Sequence, residues 1–111
     1  MAGTEKIKDL SSKEFKDILN NSKDLVVCHF YAEWCMPCIM IEPVLNTLAN
    51  RNRDVKFIKI NIDSYQDVSS EHGVEKLPCV IFFKENREVD RLVGKVSITL
   101  LEEKIKDYKN F

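Results

Sequence analysis

Apolar residues along this chain fall into two rhythms, a helical one and a strand one, and the switches between them mark out its elements. Residues from about Lys6 to Leu10 read as a short edge strand. Ser11 followed by Glu14 has capping-box spacing, so a helix is expected from there through about Leu19, with Phe15, Ile18 and Leu19 on its apolar face. After the polar turn Asn20-Asn21-Ser22, the run from Leu25 to Tyr31 is β-branched and aromatic, as in a strand buried on both faces. From Met36 to Asn52 the apolar positions Ile39, Ile41, Val44, Leu45, Leu48 and Ala49 keep helical spacing, with Pro43 expected to kink the helix.

Val55 to Ile62 reads as a second central strand, and Ser64 to His72 as a weaker helix that Gly73 ends. Cys79 to Lys84 and Glu88 to Val93 form a hairpin around Glu85-Asn86-Arg87, where Asn86 tolerates positive φ. From Ser97 onward Ile98, Leu100, Leu101, Ile105 and Tyr108 recur at helical spacing. The order β-α-β-α-β-α-β-β-α predicts an α/β fold: a mixed four- or five-stranded sheet with helices on both faces, parallel early and with an antiparallel edge from the late hairpin.

The length of 111 residues suits one domain, residues 1–111, with a single core. Hydrophobic residues at 44% fill that core, while charged residues at 32% cover it, which argues against disorder. Lys and Arg number 17 against 18 Asp and Glu, so a net charge of −1 gives no pull toward nucleic acid or anionic lipid. No apolar run approaches the roughly 20 residues that cross a bilayer. Met1 to Lys6 carries neither a secretory nor a transit pattern, so a cytoplasmic location and a monomer are the expectations.

Chemistry concentrates in Trp34-Cys35-Met36-Pro37-Cys38, between the buried strand and the long helix. A cysteine at a helix start has its thiolate stabilised by unpaired N–H groups and the positive end of the helix dipole, so Cys35 is the expected nucleophile. Cys38, one turn later, is placed to resolve the mixed disulfide. Pro37 fits the first helical turn, where its missing N–H is not needed. Trp34 either shields the site or packs there. Half of a zinc site is the rival reading, completed only by Cys28, His29, His72 or Cys79; there is no second C-x-x-C and no H-x-x-x-H, so metal is not expected.

Phe30 through Cys38, then Pro43, Asp63, Gly73-Val74, Leu77-Pro78, Phe82-Phe83-Lys84 and Val93-Gly94, resemble the thioredoxin family across nearly the whole chain. The resemblance implies a protein-disulfide reductase acting through a redox-active Cys35/Cys38 disulfide. It implies no bound cofactor, with electrons drawn from NADPH through a separate thioredoxin reductase. It also implies a cis peptide bond between Leu77 and Pro78 that faces the cysteines, with the Leu77 backbone pairing to an extended substrate; adding a strand in this way makes little sequence demand. Trp34, Met36, Pro37, Leu77 and Pro78 are then the substrate-binding rim.

Several positions depart from that pattern. Met36 replaces the usual glycine, adding a flexible thioether to the rim. His29 stands where the family has a buried aspartate beneath the second cysteine, and a neutral imidazole there can serve as a base toward Cys38. Lys59 would then face a histidine, which puts its usual ion pair in doubt. Ile39 replaces a common Lys or Arg. Cys79 follows Pro78 and is read as a core residue before a third redox thiol; Cys28 is core. His72, at a helix end, suits the dipole, and Tyr31 is assigned to packing near the site. The alternative function is a binding or scaffold module that uses the Pro78 face without turnover.

Overall fold

The computed structural model describes residues 7–94 and 96–110. Lys6, the expected start of the first strand, and the Met1–Lys6 leader reading lie outside the described residues. The chain runs β1 (Lys8–Asp9), α1 (Ser12–Asn21), β2 (Val26–Tyr31), α2 (Met36–Arg51), β3 (Lys56–Asn61), α3 (Gln66–Glu71), β4 (Cys79–Lys84), β5 (Arg87–Val93) and α4 (Ile98–Lys109). Among the described residues the sheet has five strands, in the order β1-β3-β2-β4-β5. The expected α/β architecture is the one observed.

Every residue of β2 is buried because the strand lies at the centre of a sheet covered on both faces. Side chains alternate across a strand. Val26, Cys28 and Phe30 therefore join Phe15 and Leu19 of α1 and Val68 of α3 in one core, together with Ile58, Ile60, Cys79, Ile81 and Phe83. Leu25 and Val27 point the other way, to Leu45 and Leu48 of α2 and Leu101 and Ile105 of α4, alongside Val80 and Phe82.

The antiparallel pairing is more central than expected. β1 and β2 both run parallel to β3, but β4 is antiparallel to β2 at the heart of the sheet, and the β4–β5 hairpin continues outward from it. The reason is the length of α3. Six residues of helix span about 9 Å, whereas a six-residue strand spans about 20 Å. Such a helix does not carry the chain back along the sheet, so β4 enters from the end at which β3 left.

Local signals hold in detail. Ser11 Oγ accepts the Glu14 N–H at 3.2 Å while Glu14 Oε1 accepts the Ser11 N–H at 3.0 Å, completing the capping box. Gly73, just past α3, has φ +61°. In the hairpin both Glu85 (φ 51°) and Asn86 (φ 61°) are left-handed, giving a two-residue turn between the strands. α2 runs as one element through Pro43.

Candidate active site

β2 and α2 meet at Cys35. This residue is the N-cap of α2, with extended backbone (φ −92°, ψ 101°), and its Sγ accepts the Cys38 N–H at 3.2 Å. The helix thus directs one of its unpaired N–H groups at the Cys35 sulfur, and its dipole favours negative charge there. Cys35 and Cys38 are joined as a disulfide, with Cα atoms 5.3 Å apart. Cys35 retains 5% exposure and Cys38 only 1%. An incoming thiol or disulfide therefore meets Cys35 first, with Cys38 sealed behind it.

The neighbours of the pair come from three loops. Leu77-Pro78 is a cis peptide bond, and Leu77 and Ile62 pack against the cluster of Tyr31, Ala32, Cys35 and Cys38, so the loop before β4 faces the disulfide. Pro78 C=O accepts the Gly94 N–H at 2.9 Å, which ties the end of β5 to that loop. Among the described residues, no hydrogen bond outside the helices and strands engages the Leu77 backbone. Trp34 is 69% exposed, and its indole N–H donates to Asp63 Oδ2 at 2.8 Å. Asp63 is itself held in a turn in which Asn61 Oδ1 accepts its N–H at 2.9 Å. Trp34 is therefore an anchored wall rather than a packed core residue. Met36 is 62% exposed, and Pro37 is exposed beside it in the first turn of α2.

The apolar surface is wider than the sequence reading placed it. Among the described residues, the exposed large hydrophobic ones are Trp34, Met36, Ile39, Met40, Val93, Ile98 and Leu100. Topology puts all of them at one end of the molecule. The first turns of α2 and α4 and the last residue of β5 lie there, and β5 ends opposite Cys79, next to Pro78. Ile39, Ile98 and Leu100 share helical spacing with buried neighbours but are themselves exposed. α4 instead turns Leu101 and Ile105 toward the sheet, and a residue one step along a helix is rotated by about 100°, which carries Leu100 outward.

His29 lies on the α2 side of β2, on the same face as Val27, and is 1% exposed. Among the described residues, neither of its ring nitrogens has a hydrogen-bond partner. Burial holds its pKa down, to about 4; Glu42 acts to raise it and Lys59 to lower it. The imidazole is therefore neutral at pH 7. Lys59, the register partner of His29 on β3, donates to Glu42 Oε1 at 2.6 Å and stacks 5.0 Å over the Tyr31 ring. Lys59 does have an ion pair, from a residue the sequence reading passed over. The signal available was Glu42 four residues after Cys38, an acid on the same side of the helix. Tyr31 donates its hydroxyl to Asp9 Oδ2 at 2.6 Å, and burial, with Asp9 next, keeps the phenol protonated.

Cys28 and Cys79 are free and buried in the core on the α1 and α3 side, so the sheet separates them from His29. Burial raises both thiols, Cys28 well above the usual range and Cys79 to about 11. Proximity to Pro78 in sequence does not bring the Cys79 side chain into the disulfide cluster. His72 does not act as a helix-dipole partner. Its ring meets Phe15 at 5.4 Å and Phe83 at 5.3 Å edge-on, and burial lowers its pKa. Among the described residues, no group of three or more His, Cys, Asp or Glu is arranged to hold a metal. Among them, too, no helix is long and apolar enough to cross a membrane.

The Thioredoxin family model matches residues 6–107. The chain is 42% identical over 98 residues to thioredoxin H8 of Arabidopsis thaliana, covering 86% of this chain and 66% of that protein. It is 32% identical over 100 residues to a thioredoxin of Mycoplasmoides gallisepticum, covering 90% of this chain and 100% of that protein. The crystal structure of thioredoxin NaTrxh from Nicotiana alata superposes with a TM-score of 0.88 at 35% identity, over 94% of this chain and 93% of that one. The family match spans the whole sheet and the Cys35–Cys38 pair, and on that ground this chain belongs to the thioredoxin family and is a thiol–disulfide oxidoreductase.

Proposed function

We propose that this single domain works in the reducing direction, on disulfides of protein substrates. The observation that carries attack by Cys35 and resolution by Cys38 is the asymmetry of the pair: Cys35 caps α2 at the surface while Cys38 is sealed behind it. The Cys35 thiolate attacks one sulfur of a substrate disulfide, forming a mixed disulfide and releasing the first substrate thiolate. Cys38 passes its proton to neutral His29 and attacks the Cys35 sulfur. The bond to substrate breaks, the second substrate thiol leaves, and two electrons have moved from the protein to the substrate. A separate thioredoxin reductase, drawing on NADPH, restores the dithiol.

The substrate lies along Trp34, Met36, Pro37, Leu77 and Pro78 as an extended segment, with the Leu77 backbone offered to it as a strand edge. The apolar end of the molecule favours segments whose disulfide is flanked by large apolar side chains. The protein acts as a monomer in the cytoplasm, a compartment whose reducing poise suits its free thiols Cys28 and Cys79.

Turnover of a disulfide-bonded protein with a dithiol reductant tests the reading. Cys35→Ser is expected to abolish turnover, and Cys38→Ser to accumulate a mixed disulfide with substrate. The apolar rim would also suit a scaffold that binds without turnover. A partner complex that survives loss of both cysteines, together with no wild-type turnover above background, would establish that role instead.

A further inference from the structure

Resolution of the mixed disulfide requires a proton to leave a sulfur that is 1% exposed, and the groups around that sulfur limit where the proton can go. His29 is a buried neutral base on the same side of the sheet as α2. It lies on the β2 face that α2 covers, two residues before Tyr31, whose side chain packs in the same cluster as Cys38. An isolated imidazolium at that depth would be opposed both by desolvation and by Lys59, its partner across β3. From α2, Glu42 follows Cys38 by four residues and therefore stands one turn along on the same side of the helix. Its carboxylate meets Lys59 at 2.6 Å, with the two side chains only 32% and 19% exposed.

We propose that Glu42 is a positioning residue for this reaction: by pairing with Lys59 and setting a carboxylate near His29, it allows the imidazole to take the Cys38 proton. The inference rests on His29 acting as the base. In the step, the proton moves from Cys38 Sγ to a ring nitrogen of His29 as the Cys38 sulfur bonds to Cys35 Sγ. The Cys35–substrate bond breaks, the substrate sulfur leaves with the electron pair, and His29 returns the proton to that thiolate.

The charged and titratable groups around His29 are few. β2 contributes Tyr31, whose ring is 5.8 Å away, and β3 contributes Lys59. α2 contributes Glu42. β4 contributes uncharged Val80 as the register partner, and Asp9 of β1 reaches this region through the Tyr31 hydroxyl. Of these, Glu42 is the group whose removal leaves Lys59 uncompensated.

Reduced protein mixed with a chromogenic aromatic disulfide releases one aromatic thiol on Cys35 attack and a second on Cys38 resolution, and stopped-flow measurement from pH 5.5 to 9 separates the two. Glu42→Gln should leave the first phase unchanged, slow the second about three- to tenfold at pH 7 and steepen its rise with pH, as expected when a base assists less. Adding Lys59→Met to Glu42→Gln should restore most of the second phase, because no uncompensated cation then opposes the imidazolium. In a His29→Asn background, Glu42→Gln should have no further effect. An unchanged or faster second phase in Glu42→Gln, or equal slowing in the His29→Asn background, overturns the role of Glu42 while leaving His29 as the base. If His29→Asn alone leaves the rate and pH profile of the second phase intact, the reading of His29 fails, and this inference with it.

Discussion

The molecule holds two pairs of cysteines, and they have been given opposite environments by the same sheet. Cys35 and Cys38 sit at the start of α2, where the helix supplies an N–H to sulfur and one thiol reaches the surface. Cys28 and Cys79 sit on neighbouring strands β2 and β4, in an apolar core whose desolvation raises both thiols. Reactivity here is a matter of address: a thiolate forms where a dipole and solvent support it and is suppressed where neither is present.

The sharpest way to break that comparison is alkylation of the reduced native protein. Cys35 should be modified first, with Cys28 protected until the chain is unfolded, a contrast readable by mass spectrometry. Labelling of Cys28 at a rate comparable to Cys35 would show that the two environments do not differ as described.

The next largest effect concerns His29, the buried imidazole on the α2 side of the sheet. Its folded pKa of about 4 lies below the ordinary histidine value of 6.5, so the unfolded chain binds the extra proton first as pH falls. The stabilisation is fully present above about pH 6.5 and is lost progressively toward pH 4, by up to ~3 kcal/mol. His72, lowered in the same direction, adds to the slope. Melting temperature followed from pH 7 to 4 should fall steeply in the wild type and less so in His29→Asn. Parallel curves would show that His29 is not buried in its neutral form.

Smaller changes refine the picture of the inert side. Cys28→Ser places a hydroxyl in the apolar core, and leaving it unpartnered should cost about 1–3 kcal/mol in denaturant unfolding. Turnover of the folded protein should be unaffected. Ser11→Ala removes one half of the capping box of α1 and should cost about 1 kcal/mol, again with turnover intact. A turnover defect in either variant would mean that the α1 side of the sheet is coupled to the disulfide.

Much of this arrangement is legible from residue order alone. The capping box, the glycine beyond α3, the buried run of β2 and the Cys35-to-Cys38 spacing each depend on neighbours within a few residues, and each appears where its local chemistry places it. The direction of β4 was less accessible, because it depends on how far α3 travels relative to the sheet. The exposure of Ile39, Ile98 and Leu100 was not readable for a related reason: helical spacing shows that an apolar face exists, while the sheet and the neighbouring helix decide which part of it is covered.

The sequence by itself determined the alternation of elements, the chemistry of the dithiol and the helix start that supports it, since these arise from backbone propensity and contacts a turn or less apart. Only the tertiary structure decided the rest. It set Glu42 against Lys59 seventeen residues away, buried His29 without a hydrogen-bond partner, put Cys79 on the far side of the sheet from His29 and gathered the exposed apolar residues at one end. Those outcomes depend on which strand lies beside which and on which face of each helix meets the sheet, and long-range packing chooses both.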